Sequence, residues 1–335
     1  MRVFALLDAA TPSTGVAAAV SRFESLGYDG VHVPETEHDS LLIALLAAQA
    51  SSTLTVRTAV TVAFPRSPMT MALAARDLAE ASAGRFELGL GTQVRGNIVG
   101  RFGMDWTEPL GRMRDYVGAV RAAWDAFDAG GGIDYRSEHY TLTRLQPYFT
   151  PAPIGHPRIP IHLGGVGAGM CRLAGTVADG LITHPTSALP VVLEEAADLA
   201  RTAAADAGRT VTITASAQYI SGGNARAAAE AREAKRRSMA FLYSTPAYRG
   251  TLERLDLGDR AERLQAEARA GDWPAMADVV DDTMLDALAP QVPYRELAAM
   301  LRERYGGLAD DLVVAPPADP AEDRFFAPAL AELRE

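Results

Sequence analysis

Two residue types are nearly missing from this 335-residue chain: lysine occurs once, at Lys235, and cysteine once, at Cys171. A single cysteine cannot close an internal disulfide and fits a reducing cytoplasm. Cys171 falls in an apolar helical stretch, where a thiol packs rather than attacks. Lys235 falls in a charged helical stretch, so Schiff-base chemistry from a strand end has no amine to use. No run reaches the apolar length of a membrane span, and Met1–Asp8 lacks the extended apolar core and cleavage site of a signal peptide. No zinc spacing, no Ser–His–Asp order and no Walker glycine–lysine motif occurs, so no metal site is expected. The net charge of −10 and pI near 5.2 argue against a nucleic-acid-binding face.

What is present centres on Ile159 to His184. Ile159-Pro160-Ile161-His162-Leu163 reads as a buried strand, and Gly164, Gly165, Gly167 and Gly169 follow it. Met170 to Ala174 reads as a helix and Asp179 to His184 as a second strand, which makes a βαβ unit. A loop without Cβ atoms admits an anion to backbone N–H groups, and the helix N-terminus adds about half a positive charge. Glycines after a strand also serve simply to turn the chain. A dinucleotide fingerprint would need an acidic residue at the next strand's tip, where Thr183-His184 stands instead.

The remaining chain supplies six more strands: Val3–Leu7, Asp29–Pro34, Leu54–Ala63, Phe86–Leu90, Thr210–Ile220 and Asp311–Ala315. Between them run amphipathic stretches with recognisable stops and caps, such as Gly27 and Ser67-Pro68. The helix with Leu41, Leu42, Ile43, Leu45 and Leu46 is apolar nearly all round, which predicts burial. Residues 96–106 read as an ordered loop bearing Arg101, Phe102 and Trp106; Pro109 then opens a long helix, and a small hairpin is expected over 135–145. From 250 to 307 helical segments occur without a clear strand. Eight strands alternating with helices give an α/β chain: a single (β/α)8 TIM-barrel domain over 1–335, with insertions around 95–158 and 221–307. His162, within a strand, reads as a barrel-interior histidine, and Arg95 and Arg101 stand on the site side.

In such a barrel the chemistry sits on loops at the strands' C-terminal ends. Those loops here are glycine-rich and poor in paired carboxylates, which points to a cofactor that carries the reaction itself. The pieces Gly30-Val31-His32-Val33-Pro34-Glu35…His38-Asp39, Ala59 to Pro68, Gly84 to Gly91, and Leu173-Ala174-Gly175…Asp179-Gly180 resemble, in order, the bacterial-luciferase-like flavin and deazaflavin barrels. Within that family the chain looks like the coenzyme F420-dependent oxidoreductases, over residues 1 to about 220. The resemblance implies a cofactor phosphate on Gly164, Gly165, Val166 and Gly167. It implies a ring leaning on Ala59, Val60 and Thr61, where the family holds a non-prolyl cis peptide, with Gly91 and Gln93 completing the wall. It also implies that His38 faces the reactive side of the ring as the acid–base residue, a task suited to imidazole.

One departure stands out. F420-dependent sugar-phosphate dehydrogenases of this barrel carry a glutamate after the glycine-rich end of the fourth strand, where this chain has Thr92-Gln93-Val94. With no lysine–arginine clamp either, a sugar phosphate is not the expected substrate. The expectation is a cytoplasmic, homodimeric F420-dependent oxidoreductase acting on a small organic molecule, without nucleic-acid or membrane partners. The alternatives are an FMN-dependent monooxygenase of the same family and a non-catalytic cofactor-binding barrel.

Overall fold

Short runs of β-branched and apolar residues, each bounded by glycine, proline or a capping residue, become the strands of one closed sheet. The computed structural model describes residues 1–156 and 158–335. The strands are β1 (Arg2–Leu6), β2 (Gly30–Val33), β3 (Thr55–Thr58, resuming as Thr61–Val62), β4 (Phe86–Gly91), β5 (Ile161–Gly165), β6 (Gly180–Thr183), β7 (Thr212–Ser216) and β8 (Asp311–Val313). All neighbours are parallel, β1 pairs with both β2 and β8, and β3 pairs with β4 to leave no open edge. This is the eight-stranded TIM barrel that the alternation implies.

The helices between strands start and stop where local chemistry dictates. Asp39 caps the helix Ser40–Ala50 by accepting from the amides of Leu41 and Leu42, and Ser67 caps Pro68–Ala81 through the Thr70 amide. Gly27, in the left-handed region at φ 87°, ends Val16–Leu26. The expectation that the Ser40–Ala50 helix is wholly buried is corrected. It sinks Ile43, Ala44, Ala47 and Ala48 but leaves Leu42 65% exposed. The loop expected over 96–106 opens instead as a short helix, Arg95–Gly100.

The two inserted regions differ in kind. The helix Pro109–Asp128 packs in the main core through Met113, Val117, Val120 and Phe127, and the hairpin pairs Tyr135–Arg136 with Thr141–Leu142. The helices from Ala225 to Leu288 enclose a core of their own, which includes Met239, Leu252, Leu264, Met276 and Leu285. The next helix, Tyr294–Tyr305, returns to the main core through Leu297 and Leu301. Among the described residues no helix is long and apolar enough to cross a membrane.

Inside the barrel, the half near the strands' N-terminal ends is ionic. Arg57 of β3 is 0% exposed. Its Nε lies 2.5 Å from Glu87 Oε2 of β4, its Nη2 2.7 Å from Asp311 Oδ2 of β8, and its Nη1 2.9 Å from Thr214 Oγ1 of β7. The guanidinium also lies over the Phe4 ring, 4.3 Å from its centroid. Arg2 closes the set from below with bonds to Glu87 and Asp311, so two cations meet two carboxylates. His162 Nε2 lies 3.1 Å from Glu87 Oε2, near enough for an ion pair but out of line for a hydrogen bond, and its Nδ1 has no partner among the described residues. Gly180 makes room for that ring: a Cβ there would stand 2.0 Å from His162 Nδ1.

Burial by itself would raise the pKa of Glu87, but the His162 ring, Arg57 and Arg2 more than offset it and hold the carboxyl far below its ordinary value. Its stabilising contribution is therefore full above the unfolded-state pKa of about 4.3 and lost as pH falls below it. Replacing Arg57 by Met leaves Glu87 and Asp311 with only the half-exposed Arg2 in place of two cations. We expect a loss of about 3–5 kcal/mol in urea unfolding at pH 7. A second expected outcome is that Glu87→Gln flattens the decline of stability between roughly pH 4.5 and pH 2.5; an unaltered slope there would show that the carboxyl is not coupled to the network.

Candidate active site

A cavity of about 640 Å³ opens at the C-terminal end of the barrel, a size ordinary for a cofactor or drug-sized ligand. Eight of the residues singled out from the sequence line it: Ala59, Val60, Gly91, Gln93, Gly164, Gly165, Val166 and Gly167. The peptide bond between Ala59 and Val60 is cis, where the family resemblance places one, and it separates the two segments of β3.

Thr61 and His38 are not in that wall. Thr61 is buried beneath the loop after β2, with its Oγ1 2.8 Å from Ser40 Oγ. The loop itself is tied down by Arg66, whose Nη2 reaches Glu35 Oε1 at 2.9 Å and Asp39 Oδ2 at 2.6 Å. Glu35 Oε2 also accepts from the Val62 amide at 2.9 Å and the Ser40 hydroxyl at 3.0 Å. Burial would raise the Asp39 pKa, yet Arg66 and the helix amides bring it below the usual value. In this clamp Glu35 lines the cavity, while His38 is exposed and outside its lining. The expectation that His38 points inward over the ring is not met in this arrangement, in which the clamped groups of the loop are Glu35 and Asp39.

Two histidines line the cavity, His32 on β2 and, at the end of β6, His184. Its Nδ1 accepts from the Thr186 amide at 3.3 Å and lies 2.8 Å from Thr186 Oγ1. Its ring stacks on Tyr248, with centroids 4.1 Å apart and planes 20° from parallel. Burial pushes its pKa down to about 4, so the imidazole is neutral at neutral pH. Tyr248 comes from the helical insertion and Trp106 from the segment before Pro109, and both line the cavity. Sequence reasoning placed Trp106 on a site-side loop but missed Tyr248, for which no local signal exists.

The glycines after β5 divide by role. A Cβ at Gly165 would come within 2.8 Å of Leu181 Cδ1, and one at Gly164 within 3.1 Å of Val60 Cγ1, so both permit close packing behind the cavity. Gly167 is different. A Cβ there would meet nothing within 4 Å, and Gly167 is the N-cap of the helix Ala168–Val177, which no side chain caps. Its first amides and the helix dipole therefore face the cavity edge. Arg95, which also lines the cavity, is exposed and has no carboxylate partner among the described residues. Arg101 instead donates to the Thr36 carbonyl. An apolar slot with an uncapped helix N-terminus and an unpaired guanidinium at its edge suits a planar ring carrying an anionic tail.

Away from the cavity, Lys235 Nζ donates to Gln218 Oε1 at 3.1 Å, and burial pushes its pKa to about 8. It does not reach the cavity wall. Glu108, Glu138 and His139 bring ligand atoms within 4.8 Å of one another on an exposed face, where His139 Nδ1 is engaged by Asp115 Oδ2 at 2.8 Å.

Comparison with known proteins agrees with this architecture. An uncharacterised protein of Mycobacterium tuberculosis is 37% identical over 91% of both chains. The 5,10-methylenetetrahydromethanopterin reductase of Archaeoglobus fulgidus is 28% identical over 78% of this chain and 77% of its own. The coenzyme F420-dependent tetrahydromethanopterin reductase of Methanopyrus kandleri shares the fold with a TM-score of 0.81 at 18% identity, over 98% of this chain and 97% of that one. Residues 2–311 match the luciferase-like monooxygenase family, and the chain belongs to it.

Proposed function

We propose that the protein is an oxidoreductase that transfers a hydride to or from coenzyme F420 on a small organic substrate. The observation that carries this reading is the uncapped helix N-terminus at Gly167 beside an apolar cavity floored by barrel residues. Support also comes from the F420-dependent tetrahydromethanopterin reductase, whose whole chain follows the same fold. Bound here, the deazaflavin would supply the hydride chemistry. The chain's own part would be to seat the anionic tail at the amides after Gly167 with Arg95 alongside. Ala59, Val60, Gly91 and Gly164 would present a flat apolar wall, and Tyr248 and Trp106 would limit water at the mouth.

The family's own name supports FMN-dependent monooxygenation as the second reading, since the same seat takes a flavin phosphate. Fluorescence titration of the apoprotein with each cofactor separates the two: tight FMN binding with none for F420 would overturn our choice. A homodimer fits the exposed Leu42 on Ser40–Ala50 and Leu73 on the adjoining helix Pro68–Ala81. Sedimentation should then give twice the 35.6 kDa chain mass; a monomer at micromolar concentration would rule the dimer out.

Two substitutions test the site. Gly167→Asp meets open space, so folding should be retained, while a carboxylate replaces the room for an anion. We expect cofactor affinity to fall by at least ~100-fold, equivalent to about 2.7 kcal/mol, with the melting temperature nearly unchanged. Unchanged affinity would refute the seat. The second concerns proton exchange. Glu35 has its oxygens engaged by Arg66, Ser40 and the Val62 amide, so the proton that accompanies the hydride is proposed to pass through His38, on the loop after β2. His38→Ala should lower turnover by at least ~10²-fold with cofactor affinity preserved; near-normal turnover would leave that exchange to water.

A further inference from the structure

His32 belongs to two environments at once. It pairs in register with Arg57 across β2 and β3, is 2% exposed, and also forms part of the cavity floor. Its Nε2 lies 3.3 Å from Arg57 Nη1. A guanidinium donates and never accepts, so Nε2 is the acceptor and the ring proton of the neutral imidazole resides on Nδ1. That nitrogen has no hydrogen-bond partner among the described residues. Unlike Nδ1 of His162, it is not among the atoms sealed off from solvent-sized space.

The ring is held in this sense from several sides. Phe4 packs against it, with centroids 5.0 Å apart. Arg57 cannot swing away, because Glu87, Asp311 and Thr214 fix its other nitrogens. The charged and titratable groups around the ring are Arg57 on β3, Arg2 on β1, Glu87 on β4, His162 on β5 and Asp311 on β8. Burial, and then the positive charge of Arg57, disfavour a second proton on the ring.

We propose that His32 is a fixed, neutral hydrogen-bond donor in the cavity floor, presenting Nδ1–H to a carbonyl or phenolate oxygen on the inner edge of the bound ring. The proposal deepens the cofactor reading above and rests on it for the ligand. An oxygen seated there relieves an otherwise unanswered donor, and loss of the pair should cost about tenfold in affinity.

The test compares His32→Leu, which removes the donor, with His32→Asn, whose amide nitrogen falls near the place of Nδ1. Dissociation constants for F420 and FMN are read by fluorescence, with melting temperature as a check on folding. We expect an increase of about tenfold or more for Leu and recovery to within about threefold for Asn. A loss shared by both cofactors assigns a ring carbonyl, and a loss for F420 alone assigns the phenolate that FMN lacks. If His32→Leu fails to fold, ¹⁵N NMR of the wild-type ring decides. Nδ1 should remain protonated and Nε2 bare from pH 5.5 to 8, with the Nδ1–H resonance shifting on saturation. Unchanged affinity in a folded Leu variant, uptake of a ring proton in that range, or a Nδ1–H signal indifferent to ligand would each overturn the proposal. A wild type that binds neither cofactor would instead overturn the cofactor reading, and with it the ligand assigned to this donor.

Discussion

A guanidinium without access to water must find its counter-charges within the fold, and Arg57 finds them on strands remote in sequence. Glu87 and Asp311 lie on β4 and β8, and Thr214 on β7, so satisfying one side chain requires the sheet to have closed. Register follows from the same requirement, because shifting β3 by one residue would turn the charge outward and a threonine or valine inward. Buried ion pairs are poor sources of net stability but strong penalties against wrong arrangements. The ionic floor is in that sense a specification of the barrel's closed state, and the apolar helices supply the driving force around it.

The same floor sets the character of the cavity above. Burial, and then the positive charge of Arg57 beneath it, keeps the His32 ring neutral, while burial keeps His184 neutral at the side. Glu35 spends both of its oxygens on Arg66, Ser40 and the Val62 amide. The wall therefore holds two neutral imidazoles and a carboxyl group whose oxygens are already engaged. Such a site suits chemistry that a bound ring performs, with the protein fixing orientation and excluding water.

The fold was legible because its signals are local. Runs such as Val3–Leu7 and Phe86–Leu90 carry their own strand pattern, and Ser67-Pro68 and Gly27 mark helix ends by their own chemistry. The site was legible only where it is built from those same ends. The run Leu54–Ala63 announced a strand but not its break at Ala59-Val60, since β-branched residues suit both segments. Gly164, Gly165 and Gly167 look alike as letters, yet two answer to Val60 and Leu181 and one to open space, a distinction that exists only in three dimensions. His38 and His184 both follow a strand. Arg66 grips the loop that carries His38, whereas the His184 ring, lining the cavity, caps the turn that follows it by accepting from the Thr186 amide. Tyr248 had no signal at all, because its meaning arises from where a separate helical insertion folds back.

That insertion has its own apolar core, distinct from the barrel's, yet it contributes the ring that stacks on His184. Residues in separate cores with no shared partners change nearly independently of one another. The mouth of the cavity is thus built largely apart from the ionic floor, which Tyr248 does not touch. A change at Tyr248 would reshape the mouth and the ring facing His184 while leaving Arg57, Glu87 and Asp311 with the partners they have, so the fold can vary its entrance without reopening its floor.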